Sequence, residues 1–324
     1  MNTKLQELKN RVLKGESLGK EEALSLAEMP LEELCSAADE IRRAFCGSRF
    51  DLCTIVNGKN GACTENCKYC AQSSYYNTKI QGYPLLSGEK LVEQAQYNAA
   101  RGVPRYSIVT SGKRLNSREV EQACDSIRDI RKQTDVAVCV SFGLLDEEAF
   151  RKIKGAGAVR VHNNLESSRN YFPNVCTTHI YDEKIATLKA AQAAGLSVCS
   201  GGIMGLGESM EDRIDLALTV RELGVRSIPV NMLNPIPGTP YEKNKRLTTE
   251  EMCRIVAVYR FLVPDAFIRL AGGRGLMPDK GKRCFRSGAN AAITGDMLTT
   301  GGITIERDKR MLEELGYEVV RGCE

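Results

Sequence analysis

Eight short segments rich in apolar and β-branched residues recur from residue 52 onward, and longer segments separate them. The separating segments, such as 181–195 and 210–224, carry apolar residues three and four positions apart and end in glycine, as helices commonly do. Strands that alternate with helices predict βα units on a parallel sheet, and eight such units predict a closed barrel. The predicted strands are 52–57, 105–110, 136–141, 158–163, 196–201, 226–231, 266–271 and 290–294.

The predicted fold class is therefore α/β. We expect a (β/α)8 barrel of the TIM type over residues 51–324 and an N-terminal helical extension over residues 1–50. A barrel of this kind needs about 250 residues, which the second segment provides. The chain contains no linker or low-complexity segment that would indicate a further domain.

Charge and cysteine content narrow the class of protein. The 45 basic and 41 acidic residues are spread along the chain, so no nucleic-acid-binding surface is predicted. No run of about 18 apolar residues is present, so we expect neither a membrane span nor export, and the predicted compartment is the cytoplasm. Thirteen cysteines in such a chain favour reduced thiols and metal ligation over disulfides.

The stretch GACTENCKYCAQ, residues 61–72, places Cys63, Cys67 and Cys70 in a C-x3-C-x2-C pattern. It follows the first predicted strand, so it lies at the C-terminal mouth of the barrel, where such folds keep their active sites. Three thiolates on a four-iron cluster leave one iron open to another ligand. The pattern therefore favours a cluster with an open coordination position.

Other interpretations of this motif stay open. A structural zinc site would need a second pair of ligands, and His162 and His179 are predicted to lie far from the motif and from each other. Three unconnected thiols would need no ligand at all. A non-enzymatic electron carrier would use a fully ligated cluster, and the motif offers no fourth cysteine.

Period-two alternation points three further side chains into the barrel. Cys139 and Cys199 alternate with valines on the third and fifth predicted strands, and Arg269 alternates with Ile268 and Leu270 on the seventh. A buried free cysteine is often only a small core residue. A buried arginine, however, requires an anionic partner, which favours a site inside the barrel.

The C-x3-C-x2-C motif with Tyr69 before its last cysteine resembles the radical S-adenosylmethionine (SAM) superfamily. The strings GACTENCKYCAQSS, VCSGGIMGLGE, NMLNPIPGTP and IRLAGGR resemble the biotin synthase family, and this resemblance runs from about residue 50 almost to the end. It implies a transferase that inserts sulfur into dethiobiotin to form biotin. A [4Fe-4S] cluster on the catalytic residues Cys63, Cys67 and Cys70 would bind SAM, and an auxiliary iron-sulfur cluster would donate the sulfur.

The resemblance also assigns binding residues. Contacts to the cofactor SAM are implied for Tyr69, Asn164, Glu166, Lys184 and Ile203. Contacts to the substrate are implied for Asn164, Asn231, Thr299 and Thr300.

The auxiliary cluster departs from the commoner family pattern. The second strand reads RYSIV, so Ser107 stands where the family more often has a cysteine, and Cys53 on the adjacent first strand is the predicted substitute. The expected ligand set is Cys53, Cys139, Cys199 and Arg269, and the cluster has either two or four irons. The other cysteines are predicted to be structural, with Cys284 the next candidate ligand: Cys35, Cys46, Cys124, Cys176, Cys253, Cys284 and Cys323.

The family resemblance implies partners as well. These are a flavodoxin or ferredoxin as electron donor, the iron-sulfur assembly machinery and a second copy of the chain in a homodimer. An alternative within the same subfamily is a hydrogenase maturase or a methylornithine synthase. Such an enzyme would share the cysteine motif but would not need inward-facing Cys139, Cys199 and Arg269.

Overall fold

The structure, a computed structural model, describes residues 2–321, so the prediction for Cys323 lies outside the described residues. Ten strands form one sheet in which every pairing between strands is parallel. They are β1 (Arg49–Lys59), β2 (Arg105–Thr110), β3 (Ala137–Ser141), β4 (Arg160–His162), β5 (Ser197–Cys199), β6 (Gly202–Met204), β7 (Ser227–Met232), β8 (Phe267–Leu270), β9 (Ala291–Ile293) and β10 (Glu318–Val319).

Pairing of β9 with β1 closes the sheet into a barrel. The barrel strands are β1–β5 and β7–β9, and each of these eight coincides with a predicted strand. Strand β6 follows β5 and pairs with β7, with one further bridge between Gly202 and Glu166, while β10 adds to the start of β1. The predicted (β/α)8 fold class is thus confirmed.

Helices surround the barrel and connect its strands. They are α1 (Thr3–Leu13), α2 (Lys20–Ala27), α3 (Leu31–Cys46), α4 (Gly88–Ala100), α5 (Ser117–Gln133), α6 (Glu147–Ala156), α7 (Tyr181–Ala193), α8 (Met210–Glu222), α9 (Thr249–Leu262), α10 (Lys282–Phe285) and α11 (Ile305–Glu314). Several begin at a side chain that accepts a backbone N–H, for example Asn116 before α5 and Thr248 before α9. Over residues 2–321 none of these helices has the length and apolarity needed to cross a membrane.

Helices α1–α3 lie within the segment for which the sequence predicts an N-terminal extension. They pack on the barrel through α3 against α9 and α2 against α8 and α9. Arg254 of α9 fixes the end of α2 because its Nη1 donates to the carbonyls of Ala27 and Met29, both at 2.7 Å. The division of the chain into two segments at residue 50 stays a prediction.

Candidate active site

A cavity of about 410 Å³ lies inside the barrel and opens at the C-terminal ends of its strands. Most predicted site residues line it, although they come from widely separated parts of the chain. Two predicted site residues do not line it, namely Cys67 and Lys184. Those that do are Cys53, Cys63, Tyr69, Cys70, Cys139, Asn164, Glu166, Cys199, Ile203, Asn231, Arg269, Thr299 and Thr300.

The loop after β1 carries Cys63 and Cys70 to the mouth of this cavity. Backbone hydrogen bonds hold the loop compact, since Cys70 N donates to Cys67 O at 3.0 Å and Cys63 N donates to Gln72 O at 3.1 Å. Burial raises the pKa of the Cys70 thiol to about 11. Cys70 is therefore a neutral thiol in the cluster-free chain, and a metal ion would have to displace its proton.

Cys67 points to the other side of the loop, where its sulfur, the sulfur of Cys176 and a ring nitrogen of His179 lie within 4.8 Å of one another. The nearby Cys67 thiol, together with His179 and Thr178, lowers the pKa of Cys176. The expectation that His179 lies far from the cysteine motif is therefore wrong. The fold brings the segment after β4 against the motif, which no local pattern in the sequence indicates.

Glu166 is held in a strained conformation beside Tyr69. Its φ is +71°, which a residue with a side chain rarely adopts, and Tyr69 Oη donates to its Oε1 at 2.8 Å. A Cβ on Gly202 would lie 2.4 Å from the Glu166 carbonyl oxygen, so only glycine allows this approach. The other carboxylate oxygen, Oε2, is buried and has no hydrogen-bond partner among residues 2–321.

Two asparagines are fixed by hydrogen bonds to glycine backbone. Asn164 Oδ1 accepts from Gly201 N at 3.1 Å. Asn231 Nδ2 donates to Gly202 O at 3.0 Å, and its Oδ1 accepts from Gly272 N at 2.8 Å. Both side chains line the cavity in fixed orientations, as a site that recognises polar substrate groups requires.

Lys184 and the two threonines occupy different positions around this site. Lys184 lies behind the cavity wall, where its Nζ donates to Asn164 O at 2.9 Å and to Asn163 Oδ1 at 3.3 Å. It therefore supports the loop that carries Asn164. Thr299 and Thr300 are exposed and line the rim of the cavity.

Three buried guanidinium groups line the floor of the cavity, and one buried carboxylate, that of Asp51, contacts all three from beneath it. Asp51 Oδ2 accepts from Arg269 Nη2 at 2.7 Å and from Arg160 Nη1 at 3.1 Å, and its Oδ1 accepts from Arg105 Nε at 3.3 Å. Burial favours the neutral acid, but the attraction of Arg269, Arg105 and Arg160 is stronger and lowers the pKa of Asp51. Three cations share one carboxylate, so the floor of the cavity is electropositive.

Cys139 and Cys199 lie on this floor with polar partners. Arg105 Nη1 donates to Cys139 Sγ at 3.4 Å, and Cys199 Sγ lies 3.4 Å from His162 Nδ1 and 3.3 Å from Ser227 Oγ. Burial opposes ionisation of Cys199, yet His162 and Arg269 lower its pKa to about 6. The Cys199 thiol therefore ionises more readily than an ordinary cysteine.

Cys53 is the third sulfur of the cavity. Burial, and then the neighbouring Cys139, raise the pKa of its thiol. Ser107 also faces the cavity and pairs with Cys139 across β2 and β3, whereas Cys53 pairs with Arg105 across β1 and β2. Cys53, the predicted substitute for a cysteine at position 107, therefore lies on the strand next to Ser107 and is paired with Arg105.

The floor residues suit an anionic cluster with thiolate ligands. Three thiols lie among guanidinium groups that share a single carboxylate, and added negative charge from cluster and thiolates would balance them. Cys284 does not line the cavity, because its sulfur lies 3.5 Å from that of Cys253 in the helical layer.

Three residues of the floor and the carboxylate beneath it were not predicted as site residues: Arg105, Arg160, His162 and Asp51. The signal was nevertheless present, since Asp51, Arg105 and Arg160 each precede an inward-facing residue by two positions on a strand. This is the same alternation that indicated Arg269.

Comparisons with known proteins agree with this geometry. The Radical SAM superfamily matches residues 60–220, and the Biotin and Thiamin Synthesis associated domain matches residues 229–318. A crystal structure of methylornithine synthase superposes with a TM-score of 0.84 at 20% identity, and covers 97% of both chains. The maturase HydG of the [FeFe]-hydrogenase superposes with a TM-score of 0.81 at 19% identity over 97% of this chain and 74% of that one. At such identities these two structures show the shared fold alone. The superfamily match includes the three mouth cysteines. Together with the barrel fold, it places the chain among the radical SAM enzymes.

Curated relatives identify the family within this class. A biotin synthase of Brachyspira hyodysenteriae is 61% identical over 97% of this chain and 95% of its own length. Biotin synthase 2 of Corynebacterium diphtheriae is 54% identical over 98% of this chain and 97% of its own length. The chain belongs to the biotin synthase family. Membership implies a [4Fe-4S] cluster, SAM and an auxiliary iron-sulfur cluster as cofactors.

Proposed function

We propose that this chain inserts sulfur into dethiobiotin to form biotin inside the barrel cavity. The observation that carries this proposal is the presence, in one cavity, of two mouth cysteines and three floor cysteines beside an electropositive floor. The maturase and methylornithine synthase alternatives rest on structural likeness at 20% identity or less, whereas relatives at 50–61% identity are biotin synthases.

Cys63, Cys67 and Cys70 would hold the [4Fe-4S] cluster, which requires Cys67 to turn from Cys176 toward the other two cysteines. When bound, this cluster and SAM supply an organic radical that removes hydrogen from an unactivated carbon. Tyr69, Glu166 and Ile203 lie where they can bind the adenosine part of SAM, and the partnerless Glu166 Oε2 suits a ribose hydroxyl.

Cys53, Cys139, Cys199 and Arg269 would hold the auxiliary cluster, which supplies the sulfur atom. Asp51 fixes the guanidinium groups of the floor in place, so their charge is positioned before a cluster binds. A set that uses Cys53 differs from the commoner one, and such a cluster would have two or four irons, which Mössbauer spectroscopy distinguishes.

The substrate would lie between these two regions. Asn164 and Asn231 would contact its ureido group. The hydroxyl groups of Thr299 and Thr300 at the rim would donate hydrogen bonds to its carboxylate. The depth of the cavity excludes water and positions the target carbon. Family membership also implies a reducing partner, for which we propose a flavodoxin or ferredoxin, together with assembly of the clusters by dedicated machinery and a homodimeric state.

The proposal predicts that the reconstituted, reduced protein converts dethiobiotin to biotin and forms 5'-deoxyadenosine from SAM. Both products are measured by liquid chromatography and mass spectrometry after anaerobic incubation. Cys67→Ala should abolish both products and retain the iron of the auxiliary cluster, because Cys67 is not among the proposed auxiliary-cluster ligands. Deoxyadenosine without biotin in the unmodified protein would instead support the maturase-type alternative.

Glu166→Gln should raise the KM for SAM about 10- to 100-fold, as expected when a hydrogen bond to a charged group worth about 1.5–3 kcal/mol is lost. The substitution keeps the size of the side chain, so the strained backbone is unaffected. The initial rate of deoxyadenosine formation against SAM concentration measures the effect. Glu208→Gln is the matched control, because Glu208 is a buried carboxylate that does not line the cavity. An equal rise in KM for both variants would contradict the assigned role.

A further inference from the structure

A second group of metal-ligating side chains lies behind the mouth loop and outside the cavity. The sulfurs of Cys67 and Cys176 and a ring nitrogen of His179 are within 4.8 Å of one another. Cys176 and His179 follow the short 3-10 helix at Phe172–Asn174. The carbonyl of Val175, the residue after this helix, accepts a hydrogen bond from Lys68 N of the mouth loop at 2.9 Å. The contact between loop and segment thus holds Cys67 beside residues from another part of the chain.

Two thiols and an imidazole are the ligand types that Zn²⁺ and similar thiophilic cations prefer. In a tetrahedral site with Zn–S of about 2.3 Å and Zn–N of about 2.0 Å, ligand atoms lie roughly 3.3–3.8 Å apart. His179 would bind the cation through Nε2, because its Nδ1 faces Glu65 and lies 3.3 Å from Cys176 Sγ. Rotation of the Cys67 and Cys176 side chains toward Nε2 would bring the three ligand atoms to these separations.

The surroundings resemble the outer shell of a metal site. Glu65 Oε2 lies 2.5 Å from His179 Nδ1 and accepts from Thr178 Oγ1 at 2.8 Å, so a carboxylate orients the imidazole. Asn66 Oδ1 accepts hydrogen bonds from the amides of Thr177 and Thr178 at 2.9 and 3.2 Å, which fixes the segment.

His179 itself carries an independent indication. Its side chain is 6% exposed, and its Nε2 is buried without a hydrogen-bond partner among residues 2–321. A buried polar atom of this kind requires a partner, and a metal ion is one that the neighbouring thiols would share.

We propose that Cys67, Cys176 and His179 form a binding site for a thiophilic divalent cation of the Zn²⁺ or Fe²⁺ type in the cluster-free chain. Glu65 accepts a hydrogen bond from His179 Nδ1 and so orients the imidazole. The site shares Cys67 with the [4Fe-4S] cluster proposed above. Occupation of this site and complete ligation of the mouth cluster therefore exclude each other, and the cation must leave before the cluster is fully bound.

Anaerobic titration of the cluster-free full-length chain with Co²⁺, a spectroscopic substitute for Zn²⁺, tests the site. The unmodified chain should show thiolate-to-cobalt charge-transfer and tetrahedral d–d bands, part of which Cys176→Ala should lose. Cys124→Ala is the matched control, because it removes a buried thiol of α5 outside the group. Identical spectra and stoichiometry for the unmodified chain and Cys176→Ala would overturn the proposal.

Glu65→Gln provides a second variant that retains all three ligands. Loss of an outer-shell carboxylate should weaken binding of Co²⁺ to this site about 10- to 100-fold. An unchanged affinity in Glu65→Gln, in a variant that unfolds at the same temperature as the unmodified chain, would contradict the role of Glu65 in orienting His179.

Competition during cluster assembly gives an independent readout. Zn²⁺ added before iron and sulfide should lower the iron bound at the mouth of the unmodified chain and lower it less in Cys176→Ala. Equal inhibition in both would place the zinc elsewhere and refute the overlap. Because cobalt binding needs neither SAM nor dethiobiotin, failure of this proposal is distinguishable from failure of the proposed sulfur insertion.

Discussion

Asp51→Asn should lower the free energy of unfolding of the cluster-free protein by about 3–5 kcal/mol, the usual effect of removing one partner from a buried ion pair. Asp51 is 1% exposed and contacts Arg105, Arg160 and Arg269. The substitution keeps the shape of the side chain and removes the carboxylate charge that these guanidinium groups share. Urea unfolding followed by circular dichroism measures the change.

Asp129→Asn is the control for this prediction, because Asp129 forms an exposed ion pair with Lys132. Its effect should stay within about 1 kcal/mol. Equal stability of the two variants would show that the floor does not require the Asp51 charge.

The acid dependence of stability supplies a second measurement of the same residue. The folded pKa of Asp51 is lowered, so the ionised carboxylate contributes stability that is fully present above the unfolded pKa of about 3.9. That contribution is lost as the pH falls from there through the folded pKa. The Asp51→Asn variant should therefore lose less stability than the unmodified protein over this acid range.

Cys53→Ser should reduce biotin formation about 100-fold or more, because loss of a direct ligand should exceed the 10- to 100-fold effect typical of outer-shell partners. Deoxyadenosine formation should continue, because Cys63, Cys67 and Cys70 are unchanged. Iron and sulfide analysis with Mössbauer spectroscopy would show loss of the auxiliary cluster and retention of the mouth cluster.

Cys124→Ser serves as the control for a buried thiol, and Ser107→Cys tests the alternative ligand position. We expect Ser107→Cys to leave the iron content unchanged, since the ligand set would already be complete. If Cys53→Ser retained full iron and sulfide and formed biotin normally, Cys53 would not be a ligand. Cys284 would be a poor substitute, because it lies outside the cavity beside Cys253.

The barrel was predictable because its signals are local. Each strand is a short β-branched or apolar run, and each helix carries its own periodicity and end signals. The sequence did not distinguish β6 from β5, because they lie in one continuous segment, LSVCSGGIM, and are separated by Ser200 and Gly201 alone. It also missed β10, whose two residues form a strand only because they pair with the start of β1.

The inward direction of Cys139, Cys199 and Arg269 followed from alternation along a strand. The partners of these residues did not, since Asp51 contacts arginines on three other strands. Alternation gives the face of a strand on which a residue lies, but closure of the barrel decides which residues meet. The same reason explains why the meeting of Cys67 with Cys176 and His179 was missed: it depends on how two loops pack.

The pairing of β9 with β1 also fixes an order of events during synthesis on the ribosome. Asp51 emerges early, but its partner Arg269 lies 218 positions later and the closing strand β9 later still. A nascent chain that ends before β9 exposes the edge of β1 and lacks a closed floor, and such long-range contacts form slowly. We therefore expect insertion of the auxiliary cluster to follow closure of the barrel.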